Sequence, residues 1–277
     1  MNRTMIAASN TLGQLQKQID VISNNMANVE TAGFKRGEAS FTDLLVQQLN
    51  NQPNQVAEVG RLTPLGIRQG NGAKIGQIQN VQSQGSLKTT NRDLDVAFTK
   101  ENLYFMIGVE EGNVIRLSRD GAFYLSPNGN ENMLVTADGH TVLDENGNDI
   151  VIEGDIKEIQ ISDEGVVKAI TTDGGEQTFN LGVVSVQKPQ FLEKLGDNLY
   201  GLPDNYDGLG VTADDVLTEL TGALRTDISM KQGALESSNV DLSKEMTDLI
   251  TAQRMYQFQS RSITMADQML GLVNSIR

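Results

Sequence analysis

Cysteine and tryptophan are absent from this 277-residue chain, proline occurs five times, and aromatic residues make up only 5% of it. Without cysteine there are no disulfides, no thiolate nucleophile and no Cys-based zinc site. The single histidine, His140, follows the turn signal Asp138-Gly139. It reads as a turn residue, since a catalytic dyad or metal site needs partners placed around it. No stretch comes near the roughly 18 consecutive apolar residues that a membrane-spanning helix requires, so direct membrane insertion is not expected. A signal peptide's unbroken apolar core is also missing from the N-terminus, where Gln14, Gln16, Lys17, Gln18 and Asp20 interrupt the apolar positions. Export, if it occurs, is expected to leave this segment uncleaved.

Charge is scarce at the ends and concentrated in the middle. Of the net −14, residues 1–80 contribute +2, residues 81–225 contribute −15 and residues 226–277 contribute −1. Nearly neutral ends can pack together without self-repulsion, while an acidic body stays solvated. No basic face is available to meet phosphates, which argues against nucleic acid as a partner.

Periodicity is what the ends do have. Met5, Ala8, Leu12, Leu15, Ile19, Ile22, Met26 and Val29 alternate at three- and four-residue steps. Leu242, Leu249, Tyr256, Ile263 and Leu270 recur every seven residues. Each set lies along one side of a helix and forms a seam that another helix must cover. The C-terminal helix carries a second stripe: Met255, Phe258, Met265, Met269, Leu272 and Ile276, with Ser262 filling one slot. Two stripes imply neighbours on two sides, one from the N-terminal helix and one from another subunit. Met246, Met255, Met265 and Met269 are equally readable as core or as an adaptable interface. Leu12, Leu15, Ile19, Ile22, Met26, Leu249, Tyr256, Ile263, Leu270, Met255, Phe258, Met265 and Met269 are therefore the candidate assembly residues.

The expected fold class is α+β: long N- and C-terminal helices that pair as a coiled coil, with a central, mostly antiparallel β domain. Residues 1–30 form the N-terminal assembly helix, ending in the helix-poor run Ser23 to Asn28 with Gly33 beyond it. Residues 31–85 are a glycine- and polar-rich extended segment, with a short helix near Phe41 to Val46 and a loop over Gln47 to Gly60. Residues 86–225 are β-rich. There, Asp120-Gly121, Asn128-Gly129, Asp138-Gly139 and Asn146-Gly147 mark hairpin turns between short apolar runs. A further strand is expected over Leu217 to Leu224. Residues 226–277 hold the C-terminal helix and its lead-in, from Asp241 to Ile276.

Other motifs yield to plainer readings. Asp144 to Asp149 lacks the Gly and Glu spacing of an EF-hand loop and reads as a hairpin turn. Gly70-Asn71-Gly72-Ala73-Lys74-Ile75-Gly76 misses dinucleotide spacing, and its glycines suit close backbone packing. No metal or cofactor is expected. Lys35-Arg36 reads as a solvated pair, the alternative being a subunit contact through the Phe34 ring and the Lys35 cation.

The segment Ser23-Asn24-Asn25-Met26-Ala27-Asn28-Val29-Glu30-Thr31-Ala32-Gly33-Phe34-Lys35 resembles the signature of the flagellar rod and hook protein family. Leu235-Glu236-Ser237-Ser238-Asn239-Val240-Asp241-Leu242, followed by Glu245-Met246-Thr247 and Ala252-Gln253-Arg254-Met255-Tyr256, is similar to the family's C-terminal box. Gln82 to Leu87, Asp93 to Ala97, Arg119 to Phe123 and Leu134 to Gly139 extend the resemblance over nearly the whole chain, most like its distal-rod branch. The chain departs from the family at Phe98 to Phe105, where a glycine-rich, doubly aromatic strand is usual. The motif residues are thus Asn24, Asn25, Ala27, Asn28, Gly33, Phe34, Lys35, Ser238, Asn239 and Val240.

The resemblance implies a structural subunit of the bacterial flagellar basal body, polymerising helically with copies of itself into a shaft that transmits torque to the hook. Its implied partners are other rod proteins, the hook protein and the flagellar export apparatus. An extracellular adhesin or phage-tail-like fibre with a β head and helical stalk shares the architecture and remains the alternative. Catalysis is not expected.

Overall fold

A computed structural model describes residues 2–43, 47–49, 67–70, 72–109, 114–129, 131–196, 198–203 and 212–275. The fold is α+β and divides into two compact units. The helical unit comprises Met1–Met26, Gly37–Gln79 and Leu242–Arg277, and the β unit comprises Ala27–Arg36 and Asn80–Asp241.

In the helical unit, the N-terminal helix runs Asn2–Ala27 and the C-terminal helix Leu242–Ser275. The N-terminal helix stops where Ser23 to Asn28 runs short of helix formers. The expected short helix near Phe41 is instead strand Gly37–Asp43, paired with Ala73–Asn80. Pairing with a long, distant strand overrides a weak local signal. Residues 44–46 of that expected helix lie outside the described residues, as does most of the expected loop over Gln47 to Gly60, where Gln47–Leu49 forms a strand paired with Ile67–Gln69. Gly72 allows close packing: a Cβ there would stand 3.3 Å from the Ala7 carbonyl oxygen.

The β unit is built on antiparallel ladders around strand Leu103–Val109, whose first six residues are buried. This strand pairs with Val114–Ser118 on one side, and with Val183–Val186 and Thr141–Val142 on the other. A three-stranded meander, Ile156–Ile161, Val166–Thr171 and Glu176–Asn180, packs on the core through Ile159, Ile161, Val167 and Ala169. Aromatic rings supply the centre. Phe98 and Phe105 stand 4.2 Å apart between centroids, and Phe105 meets Phe123 edge-on at 5.0 Å. The segment that departs from the family pattern is therefore well packed.

Three of the four expected turn glycines adopt positive φ: Gly129 at 69°, Gly139 at 89° and Gly147 at 79°. Gly121 does not. It lies against strand Val96–Phe98, and a Cβ there would overlap the Val96 carbonyl. Asp120-Gly121 is thus a close backbone approach rather than a hairpin turn. The expected strand over Leu217 to Leu224 is cut to Leu217–Glu219 by a 3-10 turn at Gly222–Asp227. At Asp144, the carboxylate Oδ1 accepts the N–H groups of Asn146 and Asn148, both at 2.8 Å, and closes a turn on itself.

Candidate assembly interface and the two chain-end motifs

On the N-terminal helix, Ala8, Leu15 and Ile22 form the buried line, seven residues apart, with Leu12, Ile19 and Met26 half-buried beside it. On the C-terminal helix the buried line is Glu245, Ala252 and Ala266, with Gln259 half-buried between the alanines. Leu249, Ile263 and Leu270 flank that line half-buried, and Tyr256 is 36% exposed. Two alanines fourteen residues apart are thus the buried apolar residues of this line, with the larger ones to the side. Periodicity alone points to the larger residues, because hydropathy weights them over alanine.

The second stripe is open to solvent. Met255 is 45% exposed, Phe258 70%, Met265 54%, Met269 52% and Leu272 64%. With Met246 also exposed, all four methionines in question lie on the surface of the single chain. An exposed apolar stripe of this kind is uncommon on a monomeric protein.

The motif residues behave differently. In the helical unit, buried Asn25 uses both ends of its amide. Its Oδ1 accepts the Gly37 N–H at 2.9 Å, and its Nδ2 donates to the Gly37 carbonyl at 2.9 Å and to Glu245 Oε2 at 3.1 Å. That last bond ties the end of one long helix to the start of the other. Asn24 and Ala27 are exposed, and Asn28 is half-buried, its Oδ1 accepting from the Thr31 hydroxyl at 3.2 Å.

In the β unit the two motifs meet. The Gly33 N–H donates to the Glu236 carbonyl at 2.8 Å, and the Arg36 N–H to Asn239 Oδ1 at 2.7 Å. Asn239 Nδ2 donates in turn to the Val81 and Ser83 carbonyls at 2.8 and 3.0 Å. Ser238 and Val240 are half-buried beside it, the Ser238 Oγ accepting the Val240 N–H at 3.3 Å. Gly33 has φ +67°, and a Cβ there would lie 2.5 Å from the Arg119 carbonyl carbon, so only glycine fits.

Lys35 is a correction. It is not solvated: only 1% of its side chain is exposed, and its Nζ lies 2.7 Å from Glu236 Oε1 and 3.0 Å from the Ser83 carbonyl. Arg119, fully buried, meets the other oxygen of Glu236 through Nε at 2.7 Å and donates to the Leu103 and Lys100 carbonyls. The Gly85 N–H adds a third donor to the carboxylate at 2.9 Å. Burial pushes the Glu236 carboxyl up, but Arg119 and Lys35 outweigh it and hold the group below its ordinary value. Lys35 is drawn down by burial and then by Arg119, against the pull of Glu236. Phe34 is buried as well, its ring capped by Lys194 Nζ 3.4 Å from the centroid.

Glu236, Arg119 and Glu245 are the residues that sequence reasoning left out of the site. For Glu236 and Glu245 the available signal was a carboxylate in the quoted C-terminal box, opposite in sign to Lys35 or able to accept from Asn25; for Arg119 there was no local signal. Among the described residues, no group of three or more His, Asp or Glu side chains could hold a metal.

This arrangement coincides with matches along the chain. Residues 5–35 match the family described as flagella basal body rod protein, residues 102–169 the flagellar hook protein FlgE/F/G D1 domain, and residues 231–276 the flagellar basal body rod FlgEFG protein C-terminal family. The chain is 47% identical over 283 residues to the flagellar hook-basal body complex protein FlhP of Bacillus subtilis, covering all of both chains. It is 35% identical over 280 residues to the flagellar basal-body rod protein FlgG of the same organism, covering 99% of each. FlgG of Agrobacterium fabrum is likewise 35% identical, over 282 residues and 98% of each chain. With both end motifs joined in the fold and relatives matched from end to end, the chain belongs to the flagellar basal-body rod and hook protein family.

Proposed function

We propose that this chain is a structural subunit of the flagellar basal-body rod, of the distal-rod type, and that it polymerises helically with copies of itself. It carries no chemistry; its work is mechanical. The observation that supports this reading best is the exposed stripe from Met255 to Leu272, an apolar surface of regular helical spacing with no cover in the single chain. The terminal helices would form the assembling layer, using Leu12, Leu15, Ile19, Ile22 and Met26 on one side and Leu249, Tyr256, Ile263 and Leu270 on the other. Met255, Phe258, Met265 and Met269 would face a neighbour.

The acidic β unit would keep the polymer solvated. Other rod proteins and the hook protein would adjoin the polymer at its ends. The subunit would reach the basal body through the flagellar export apparatus with no signal peptide removed.

Deleting the gene tests the role. Electron microscopy of isolated basal bodies should show truncated rods without hooks, in non-motile cells. Complete rods bearing working filaments would exclude it. Sizing of the purified chain at rising concentration separates an open polymer from the fixed small oligomer of a fibre protein.

A further inference from the structure

Two Asn-Gly pairs sit at turns of the β unit, and the fold holds them in opposite ways. Asn128 is the last residue of strand Tyr124–Asn128, which pairs with Glu131–Val135, and the ladder closes at Asn128 opposite Glu131. Gly129 lies beyond that closing pair, exposed and at φ 69°, and a Cβ there would meet nothing within 4 Å. Among the described residues nothing accepts from the Gly129 N–H and nothing holds the exposed side-chain amide of Asn128. The second pair is tied down. The Gly147 N–H donates to the Asp144 carbonyl at 3.1 Å. Asn146 donates to the Asp144 carboxylate through its backbone N–H at 2.8 Å and through Nδ2 at 3.4 Å. In a third pair, Asn71-Gly72, Asn71 lies outside the described residues.

We propose that Asn128 is a site of spontaneous modification, converted by water alone to aspartate and isoaspartate, while Asn146 is protected. The backbone nitrogen of Gly129 attacks Cγ of Asn128. The N–Cγ bond forms, the N–H proton passes through water to the departing nitrogen, and the Cγ–Nδ2 bond breaks as ammonia leaves. Water then opens the cyclic imide. Its attack at Cγ gives aspartate, and its attack at the main-chain carbonyl gives isoaspartate. The net change is water consumed and ammonia released, with no oxidant, metal or second protein. Gly129 suits the step because a backbone without a Cβ turns freely and leaves its nitrogen open. At Gly147 the attacking nitrogen must first give up its bond to Asp144, and breaking one ordinary hydrogen bond slows a reaction about fivefold. Either product sets a carboxylate opposite Glu131, a like-charge pair across the closing rung of the ladder, which loosens the hairpin tip. This chemistry is independent of the polymer reading above.

The test is to hold the purified full-length chain in mildly alkaline buffer, digest it and follow both sites by mass spectrometry. A Glu-specific protease cuts at Glu131, so the two asparagines fall in different peptides. The Asn128 peptide should gain aspartate and isoaspartate at least about fivefold faster than the Asn146 peptide. In unfolding concentrations of urea the two rates should converge, since the Asn-Gly sequence is common to both. Asp144→Ala should speed conversion at Asn146 and leave Asn128 unchanged. Equal rates in the folded chain, or conversion led by Asn146, overturn the assignment. A gap that persists in urea does so too, because it would then come from neighbouring sequence and not from the fold. An Asp144→Ala chain in which Asn146 stays slow also overturns it.

Discussion

Replacing Glu236 with alanine should damage the β unit more than any other single truncation at the chain-end motifs. One carboxylate there answers two buried cations, Lys35 at 1% side-chain exposure and Arg119 at 0%, and also the Gly85 N–H. Removing it leaves both charges in low dielectric without a counter-ion, a loss of about 3–5 kcal/mol. Whole domains are stable by only about 5–15 kcal/mol, so at least about a fifth of the margin goes. With a urea m-value near 2 kcal/mol/M, the unfolding midpoint should fall by about 2 M.

Three of the five tyrosines, Tyr104, Tyr124 and Tyr200, lie among the described residues of the β unit, and tryptophan is absent. Tyrosine fluorescence therefore reports this transition. Lys35→Met makes the internal comparison. It leaves the Arg119–Glu236 pair intact and removes a cation whose charged form burial already disfavours. It should cost much less than Glu236→Ala, on the order of 1 kcal/mol. A Glu236→Ala midpoint within error of the parent, or a larger loss from Lys35→Met, would refute the view that the carboxylate is the keystone.

Other substitutions probe the same logic. Gly33→Ala must place a Cβ against the Arg119 backbone at positive φ, and should lower stability by several kcal/mol, about 2–4, in the same urea assay. Asn25→Asp sets a second carboxylate 3.1 Å from Glu245 Oε2 in place of a donor; a loss of about 2–3 kcal/mol by helical circular dichroism is expected, relieved on acidification. Asp120, raised by burial to about 6, has a folded pKa above its ordinary 3.8, so its contribution is fully present below pH 3.8 and is lost as pH rises through 6. Asp120→Asn should therefore flatten the urea midpoint across that window and stabilise the chain at pH 7, by at most about 3 kcal/mol. Glu236 has the opposite sign: its contribution is present above its ordinary value of 4.5 and is lost as pH falls through the lower folded pKa.

The helices were legible because their signal is periodic and repeated many times over. The hairpins at Gly129, Gly139 and Gly147 were legible because the backbone itself demands glycine there. What was not legible depends on pairs distant in sequence. Strand Gly37–Asp43 exists through its partner Ala73–Asn80, and no local pattern announces it. Lys35 looks solvated until Glu236, two hundred residues later, arrives beside it. The alanines of the C-terminal buried line were passed over for a related reason. A search for hydrophobic mass ranks alanine below leucine and tyrosine, so two buried alanines carry little signal of their own.

This division says which kind of damage each class of substitution should cause. Asn25, Gly33, Lys35, Glu236 and Asn239 satisfy their hydrogen bonds and charges inside the single chain. Changing them should therefore lower the stability of the monomer before any polymer forms. Phe258, Met265 and Met269 are the reverse, more than half exposed on the single chain. Truncating them to alanine should leave the urea midpoint within about 0.5 kcal/mol of the parent, as for ordinary surface positions, while polymerisation fails. The two measurements are independent, so the separation can be refuted from either side. It fails if a Phe258→Ala monomer unfolds early, or if a Glu236→Ala chain that folds at all assembles poorly for reasons other than its folded fraction.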